Sequence, residues 1–219
     1  MMPELRARAG GRLKGAWMSD SLKNELLWGE KFLRTAVPRV LSADDTRPAV
    51  LVFTDAALEG ERDEIATYGG VILDGAKVVK FGGQLSRESL AELQVETKKV
   101  ITVLEVLPAA AVAIKWKQEF THRRVFFFID NDAARAGLIK QYSDSAVIQG
   151  VLRAEEQLKH PCFQWFCRVA SSSNVADEAS RLKPLLMFED VAEVVDVSLE
   201  PFFKSREQIP KKGSRRRRA

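Results

Sequence analysis

Ala49-Val50-Leu51-Val52-Phe53-Thr54-Asp55 is a continuous apolar run closed by an acid. A run of this length without alternation predicts a strand buried on both faces. A second run of the same kind, Val125-Phe126-Phe127-Phe128-Ile129-Asp130, also closes on an aspartate. If the two strands are parallel neighbours, both carboxylates emerge at one edge of the sheet. Open sheets place their ligand sites at the carboxyl ends of their strands. One such aspartate reads as a cap or a turn residue, but two at the ends of two buried strands shift the balance toward a site.

The segments between and around these runs set the fold class. Residues 67–74 and 76–83 predict two further strands, joined at Asp74-Gly75 by a tight hairpin. Residues 88–121 have helical composition with Pro108 as a kink. Helices follow over 132–140 and 146–159, a last strand over 162–169, a Ser/Asn loop at Ser171–Asn174, and a short helix over 175–182. Three antiparallel strands followed by alternating elements predict an α/β domain, a mixed sheet covered by helices. Upstream, Leu22, Leu26, Leu27, Phe32 and Leu33 fit a short helix interrupted by Pro38. The expected organisation is a basic arm and connector helix (1–47), the domain proper (48–183), and an extension with a basic tail (184–219).

Charge divides along the same lines. The 219 residues carry net +4. Residues 1–47 hold 9 basic and 6 acidic side chains, and 204–219 hold 8 basic and 1 acidic. Residues 48–203 hold 17 basic and 23 acidic. An acidic body with basic ends is not a uniformly basic nucleic-acid binder, so the middle has a use for acids. No apolar run approaches the ~20 residues that span a bilayer, so no membrane partner is expected. Cys162 and Cys167 make neither a disulfide framework nor a four-ligand zinc site, and a reducing, intracellular setting is the default. Nucleus, cytoplasm and mitochondrion are not separated by the sequence.

Two more acids stand out. Glu105 lies in Ile101-Thr102-Val103-Leu104-Glu105-Val106-Leu107, an acid in an apolar helical stripe. That position costs desolvation energy unless the carboxylate is paired or bound to a cation. Asp177 falls in the first turn of the last helix, where the dipole alone favours it. Together Asp55, Glu105, Asp130 and Asp177 form an oxygen-only donor set, which favours Mg²⁺ or Mn²⁺ over zinc. Two such ions ~4 Å apart are suited to phosphodiester chemistry.

With these residues in view, the chain resembles the ribonuclease H fold, in particular the ribonuclease H domain attached to retroelement reverse transcriptases. The motifs that carry the resemblance are Val52-Phe53-Thr54-Asp55-Ala56, Leu104-Glu105-Val106-Leu107-Pro108, Phe128-Ile129-Asp130-Asn131-Asp132-Ala133-Ala134-Arg135, and Arg168-Val169 through Asn174-Val175-Ala176-Asp177-Glu178-Ala179-Ser180-Arg181-Leu182. The resemblance covers about residues 48–183. It implies a ribonuclease H-like mixed five-stranded sheet flanked by helices, with basic terminal extensions. It implies Asp55, Glu105, Asp130 and Asp177 as catalytic ligands of two ions. It further implies hydrolysis of the RNA strand of RNA–DNA hybrids, read by shape and 2′-hydroxyls. Asn131 and Asn174 are then candidate backbone or substrate contacts, and Arg135 a phosphate contact. Arg215, Arg216, Arg217 and Arg218 form a tail able to neutralise phosphates of a hybrid or a structured RNA.

The sequence departs from the pattern in two places. The loop Ala170-Ser171-Ser172-Ser173 has no histidine, where many ribonucleases H carry a proton shuttle, and His122 and His160 read as surface residues. No paired-Asp polymerase motif is present. Trp116, Trp165 and Phe166 fall within apolar segments and are expected in the core. The alternative function is a domesticated, non-catalytic ribonuclease H-fold subunit of a ribonucleoprotein assembly, such as an organellar ribosome, binding RNA through basic tails. A polyprotein context is the third setting the motifs suggest.

Overall fold

The computed structural model describes residues 20–35, 46, 49–60, 64–158, 162–188, 190, 192–199 and 201–204. The basic arm, His160 and Arg215–Arg218 lie outside the described residues. The chain divides into two compact units, Met1–Val40 and Leu41–Ala219. In the first, helix α1 (Asp20–Thr35) falls within the stretch expected to be helical. Trp28 stacks on Phe32 with ring centroids 5.3 Å apart, and Arg34 pairs with Glu30 at 2.9 Å. Both pairs use the i,i+4 spacing that makes side chains neighbours on a helix.

The second unit is built on a mixed sheet. Strands β1 (Val50–Glu59), β2 (Ile65–Asp74) and β3 (Lys77–Gln84) run antiparallel. The β2–β3 link is the two-residue turn at Gly75-Ala76, where Gly75 has φ +61°. Strand β4 (Arg124–Ile129) lies parallel to β1, and β5 (Phe163–Arg168) parallel to β4. The parallel pairing of the two apolar runs, Val50↔Val125 through Phe53↔Phe128, is the relationship their composition suggests. The sheet has six strands, one more than expected, in the order β5-β4-β1-β2-β3-β6.

The sixth strand, β6 (Ala192–Val195), comes from the segment read as a terminal extension and pairs parallel with β3. Val197, Leu199 and Phe203 of that segment are buried in the main core, and Tyr68 Oη donates to the Val197 carbonyl at 2.8 Å. Residues up to the short helix α8 (Pro201–Lys204) are therefore part of the same packed body. Their apolar side chains show no helical period because they serve a short strand and single insertions into the core.

The stretch expected as one helix over 88–121 is three. Helix α2 (Arg87–Glu96) is capped by Ser86, whose Oγ accepts from the Ser89 N–H at 3.2 Å. It stops at Thr97, whose hydroxyl accepts the Lys99 N–H at 3.0 Å, a local bond that competes with helix continuation. Helix α3 (Val100–Lys115) follows, then the single turn α4 (Lys117–Phe120). In α3 every residue from Thr102 to Ala113 is buried. A helix apolar on all sides belongs inside, and α3 packs on β1 and against α5 (Asp132–Lys140) and α6 (Ala146–Leu158). Pro108 lies within α3 without ending it.

Alternation along the strands sorts side chains onto two faces. Val50, Val52, Val125 and Phe127 point into the main core with α3, α5 and α6. The opposite face holds a second, smaller cluster, Val71, Val78, Ala179 and Leu185, covered by α7 (Asp177–Ser180) and the residues after it. The expected helix over 175–182 is only this one turn, flanked by turns and entered through a 3-10 turn at Ser171–Ser173. Among the described residues no helix is long and apolar enough to cross a membrane.

Candidate functional site

The site forms where β1 outlasts its parallel neighbour. Pairing with β4 stops at Phe53↔Phe128, whereas pairing with β2 continues to Glu59↔Ile65. Asp55 is therefore inside a strand and not at its end, as the apolar run alone suggested. Asp130 follows the last residue of β4 directly. Both acids lie two residues beyond the last β1–β4 pair, in register with each other. Glu105 reaches the same place from α3. One carboxylate oxygen from each of Asp55, Glu105 and Asp130 lies within 4.8 Å of the other two.

Burial makes this arrangement costly without a cation. Glu105 is 4% exposed, and its Oε2 is a buried oxygen with no hydrogen-bond partner. Desolvation, reinforced by the charges of Asp55 and Asp130, pushes its pKa up to about 9. Asp55, 6% exposed, is also raised, first by desolvation and then by Asp130 and Asp177. Ser180 opposes that shift: its Oγ donates to Asp55 Oδ2 at 2.5 Å. The Ala56 N–H donates as well and pulls both acids the same way. Three hard oxygen donors and one orphaned buried oxygen fit a divalent hard cation.

Asp177 stands apart from this triad. Its Oδ1 accepts from Arg181 Nε at 3.0 Å, and Arg181 Nη1 reaches Glu59 at 2.9 Å. The fourth acid is thus beside the site, close enough to raise the proton affinity of Asp55, while its own carboxylate is engaged by a guanidinium.

The other expected site residues have clear placements. Asn131 caps α5: its Oδ1 accepts from the N–H groups of Ala133 and Ala134 at 3.1 and 3.0 Å. The cap fixes the chain immediately after Asp130. Asn174 is buried, donates from Nδ2 to the Thr54 carbonyl at 3.1 Å, and accepts the Ala176 N–H at 3.2 Å. It is a backbone contact that staples the loop before Asp177 to β1 beside Asp55. Arg135 pairs with Asp132 at 3.1 Å and is half-buried, one turn beyond Asp130. His122 is exposed, as expected. Trp116 is buried and Phe166 packs on the core, but Trp165 is 56% exposed. Strand alternation explains the correction: with Phe166 turned inward on β5, Trp165 must turn out.

Sequence reasoning singled out neither Ser180 nor Arg181, although both lie in a quoted motif. It also passed over Gly69 and Gly82, paired across β2 and β3. A Cβ on Gly69 would meet the Ala179 carbonyl carbon at 2.3 Å, and one on Gly82 the Ala179 oxygen at 2.9 Å. These two positions form the floor on which α7 rests, and so they seat Ser180 against Asp55. Glycine inside a strand is the available signal for such a close approach.

No family model matches the chain, and no curated protein matches it. Among solved structures, the chain is similar to the RNase H1 of the halophilic archaeon Halobacterium salinarum, at 15% identity over 61% of this chain and 94% of that one, with a TM-score of 0.41. It is similar to the N-terminal RNase H domain of a Mycobacterium tuberculosis protein, at 13% identity over 61% and 91%, with a TM-score of 0.40. An RNase H1 isolated from compost by metagenomics shares 14% identity over 61% and 94%, also at 0.40.

Proposed function

We propose that this protein is a metal-dependent endonuclease of the ribonuclease H type, hydrolysing the RNA strand of RNA–DNA hybrids. The observation that carries the reading is the convergence of Asp55, Glu105 and Asp130, from three separate elements, around a buried oxygen of Glu105 that no protein group satisfies. Those three residues would hold the first of two Mg²⁺ or Mn²⁺ ions, with Asp177 contributing to the second. Bound there, the ions supply charge neutralisation and electrophilic assistance at the scissile phosphodiester.

The chain's own groups prepare that centre. Ser180 favours the ionised form of Asp55 and fixes its orientation. Asn131 and Asn174 fix the backbone on either side of the carboxylates, and Arg135 would meet a phosphate of the bound strand. Selection of the RNA strand falls to contacts with duplex shape and 2′-hydroxyls. The motif order Asp55, Glu105, Asp130, Asp177 also supports descent from a reverse transcriptase-associated ribonuclease H.

The test is incubation with end-labelled RNA–DNA hybrid in Mg²⁺ and in Mn²⁺, beside an Asp55→Asn control. Cleavage that the substitution abolishes is expected. Absence of cleavage by the wild type in both ions sinks the enzyme reading. In that case the non-catalytic ribonucleoprotein role predicts RNA affinity that survives Asp55→Asn and disappears when residues 204–219 are deleted.

A further inference from the structure

The face of the sheet that carries α7 is only half covered. On β1, β4 and β5 the outward side chains are Leu51, Phe53, Phe126, Phe128, Phe163 and Trp165. None belongs to either core cluster; Trp165 is exposed and the other five are half-buried. Their strand neighbours Val50, Val52, Val125 and Phe127, pointing the other way, are fully buried. The rings fall into two groups, a pair and a trio. Phe53 stacks on Phe128 with centroids 4.5 Å apart, Phe126 meets Phe163 edge-on at 6.4 Å, and Phe163 lies near-parallel to Trp165 at 6.2 Å.

This strip leads into the carboxylates. Phe53 and Asp55 are alternate residues of β1, and Phe128 and Asp130 are alternate residues at the end of β4. One guanidinium flanks it: exposed Arg124, on the same face of β4 as Phe126, is in register with Phe163.

We propose that this strip is a track for an unpaired nucleic-acid strand running off the duplex held at the carboxylates. The proposal rests on the nuclease reading above and extends it to the substrate's single-stranded flank. Aromatic side chains stack on bases regardless of sequence, and the arginine beside them meets the backbone. An apolar protein partner seated on Phe53 and Phe128 would lie against Asp55 and Asp130 and close the site to substrate. A nucleic-acid strand would instead be continuous with it.

The experiment uses the full chain with Ca²⁺ in place of Mg²⁺, and fluorescence anisotropy on three probes: a blunt labelled hybrid, the same hybrid with an oligouridine extension, and free oligouridine. In the wild type the extension tightens binding about tenfold, within the range that one stacked base contributes. Trp165→Ala removes that gain, Trp165→Phe keeps part of it, and both variants cleave the blunt hybrid in Mg²⁺ at the wild-type rate. Equal affinity for blunt and extended hybrids, with blunt hybrid still cleaved, overturns the track and leaves the nuclease reading standing. Loss of all cleavage with oligouridine binding still dependent on Trp165 removes the nuclease reading but not the stacking surface. A Trp165-dependent dimer by sedimentation, with nucleic-acid affinity unchanged in Trp165→Ala, makes the strip a protein interface and overturns the proposal.

Discussion

Ser180 Oγ donates a 2.5 Å hydrogen bond to Oδ2 of Asp55, joining two residues 125 positions apart in the chain. The bond lowers the proton affinity of an acid that burial raises. Ser180→Ala leaves the desolvation in place and removes the compensation. The acid limb of the pH–rate profile should therefore move to higher pH, with cleavage about tenfold slower at neutral pH, as expected for one lost hydrogen bond to a charged group. Recovery of the rate as pH rises separates this role from general damage to the fold.

Glu105 gives the metal-free protein an unusual pH dependence. Its folded pKa of about 9 lies above the ordinary 4.5, so between those values the folded state keeps a proton that the unfolded state releases. Stability is then full below the unfolded pKa and is lost as pH rises through the folded one. Asp55 acts in the same direction. Melting in EDTA should fall between about pH 5 and pH 9. Glu105→Gln should flatten the slope, and Mg²⁺ should stabilise the wild type most at the alkaline end. Differential scanning fluorimetry across that range reads all three, and an EDTA melting curve independent of pH contradicts the burial of this carboxylate.

Two glycines should respond with opposite signs to the same substitution. Gly69→Ala drives a Cβ into the Ala179 backbone and should cost about 1–3 kcal/mol while displacing Ser180 and slowing cleavage. Gly150 lies in α6 with nothing within 4 Å of its missing Cβ. Gly150→Ala should stabilise by about 0.5–1 kcal/mol through helix propensity and leave cleavage unchanged. Urea denaturation measures both.

Arg181 places a positive charge beside the proposed cation site, held by Asp177 and Glu59. Removing it in Arg181→Ala should tighten Mg²⁺ about two- to threefold by isothermal titration, an effect that shrinks as salt is added. Unchanged affinity at low salt would show that the guanidinium does not oppose the ion.

The sheet was legible because its strands declare themselves locally. The runs at 49–55 and 125–130 are apolar without alternation, and Asp74-Gly75 marks its turn. The runs leave their neighbours open, and the parallel pairing that brings Asp55 and Asp130 together is seen only in the structure. What could not be read is what depends on third partners. Asp177 belongs with the other acids by the order of the motifs, yet a guanidinium four residues on engages it, and helix spacing alone does not rank that pairing above a metal. Trp165 looks like its neighbour Phe166 until strand alternation and the half-covered sheet face are both known. Strand β6 is too short and too exposed, with Val194 77% accessible, to show a period.

The bond from Tyr68 to Val197, 129 residues apart, sets an order in time. Strands β1 to β3 are synthesised before Asp177, Ser180 and the strand that borders β3. Contacts of such long sequence separation close late in folding, after the loop-closure entropy has been met. A nascent chain carrying Asp55, Glu105 and Asp130 therefore still lacks the α7 turn that seats Ser180. The activity proposed for this centre is one that a growing polypeptide acquires only after residue 180 has been made.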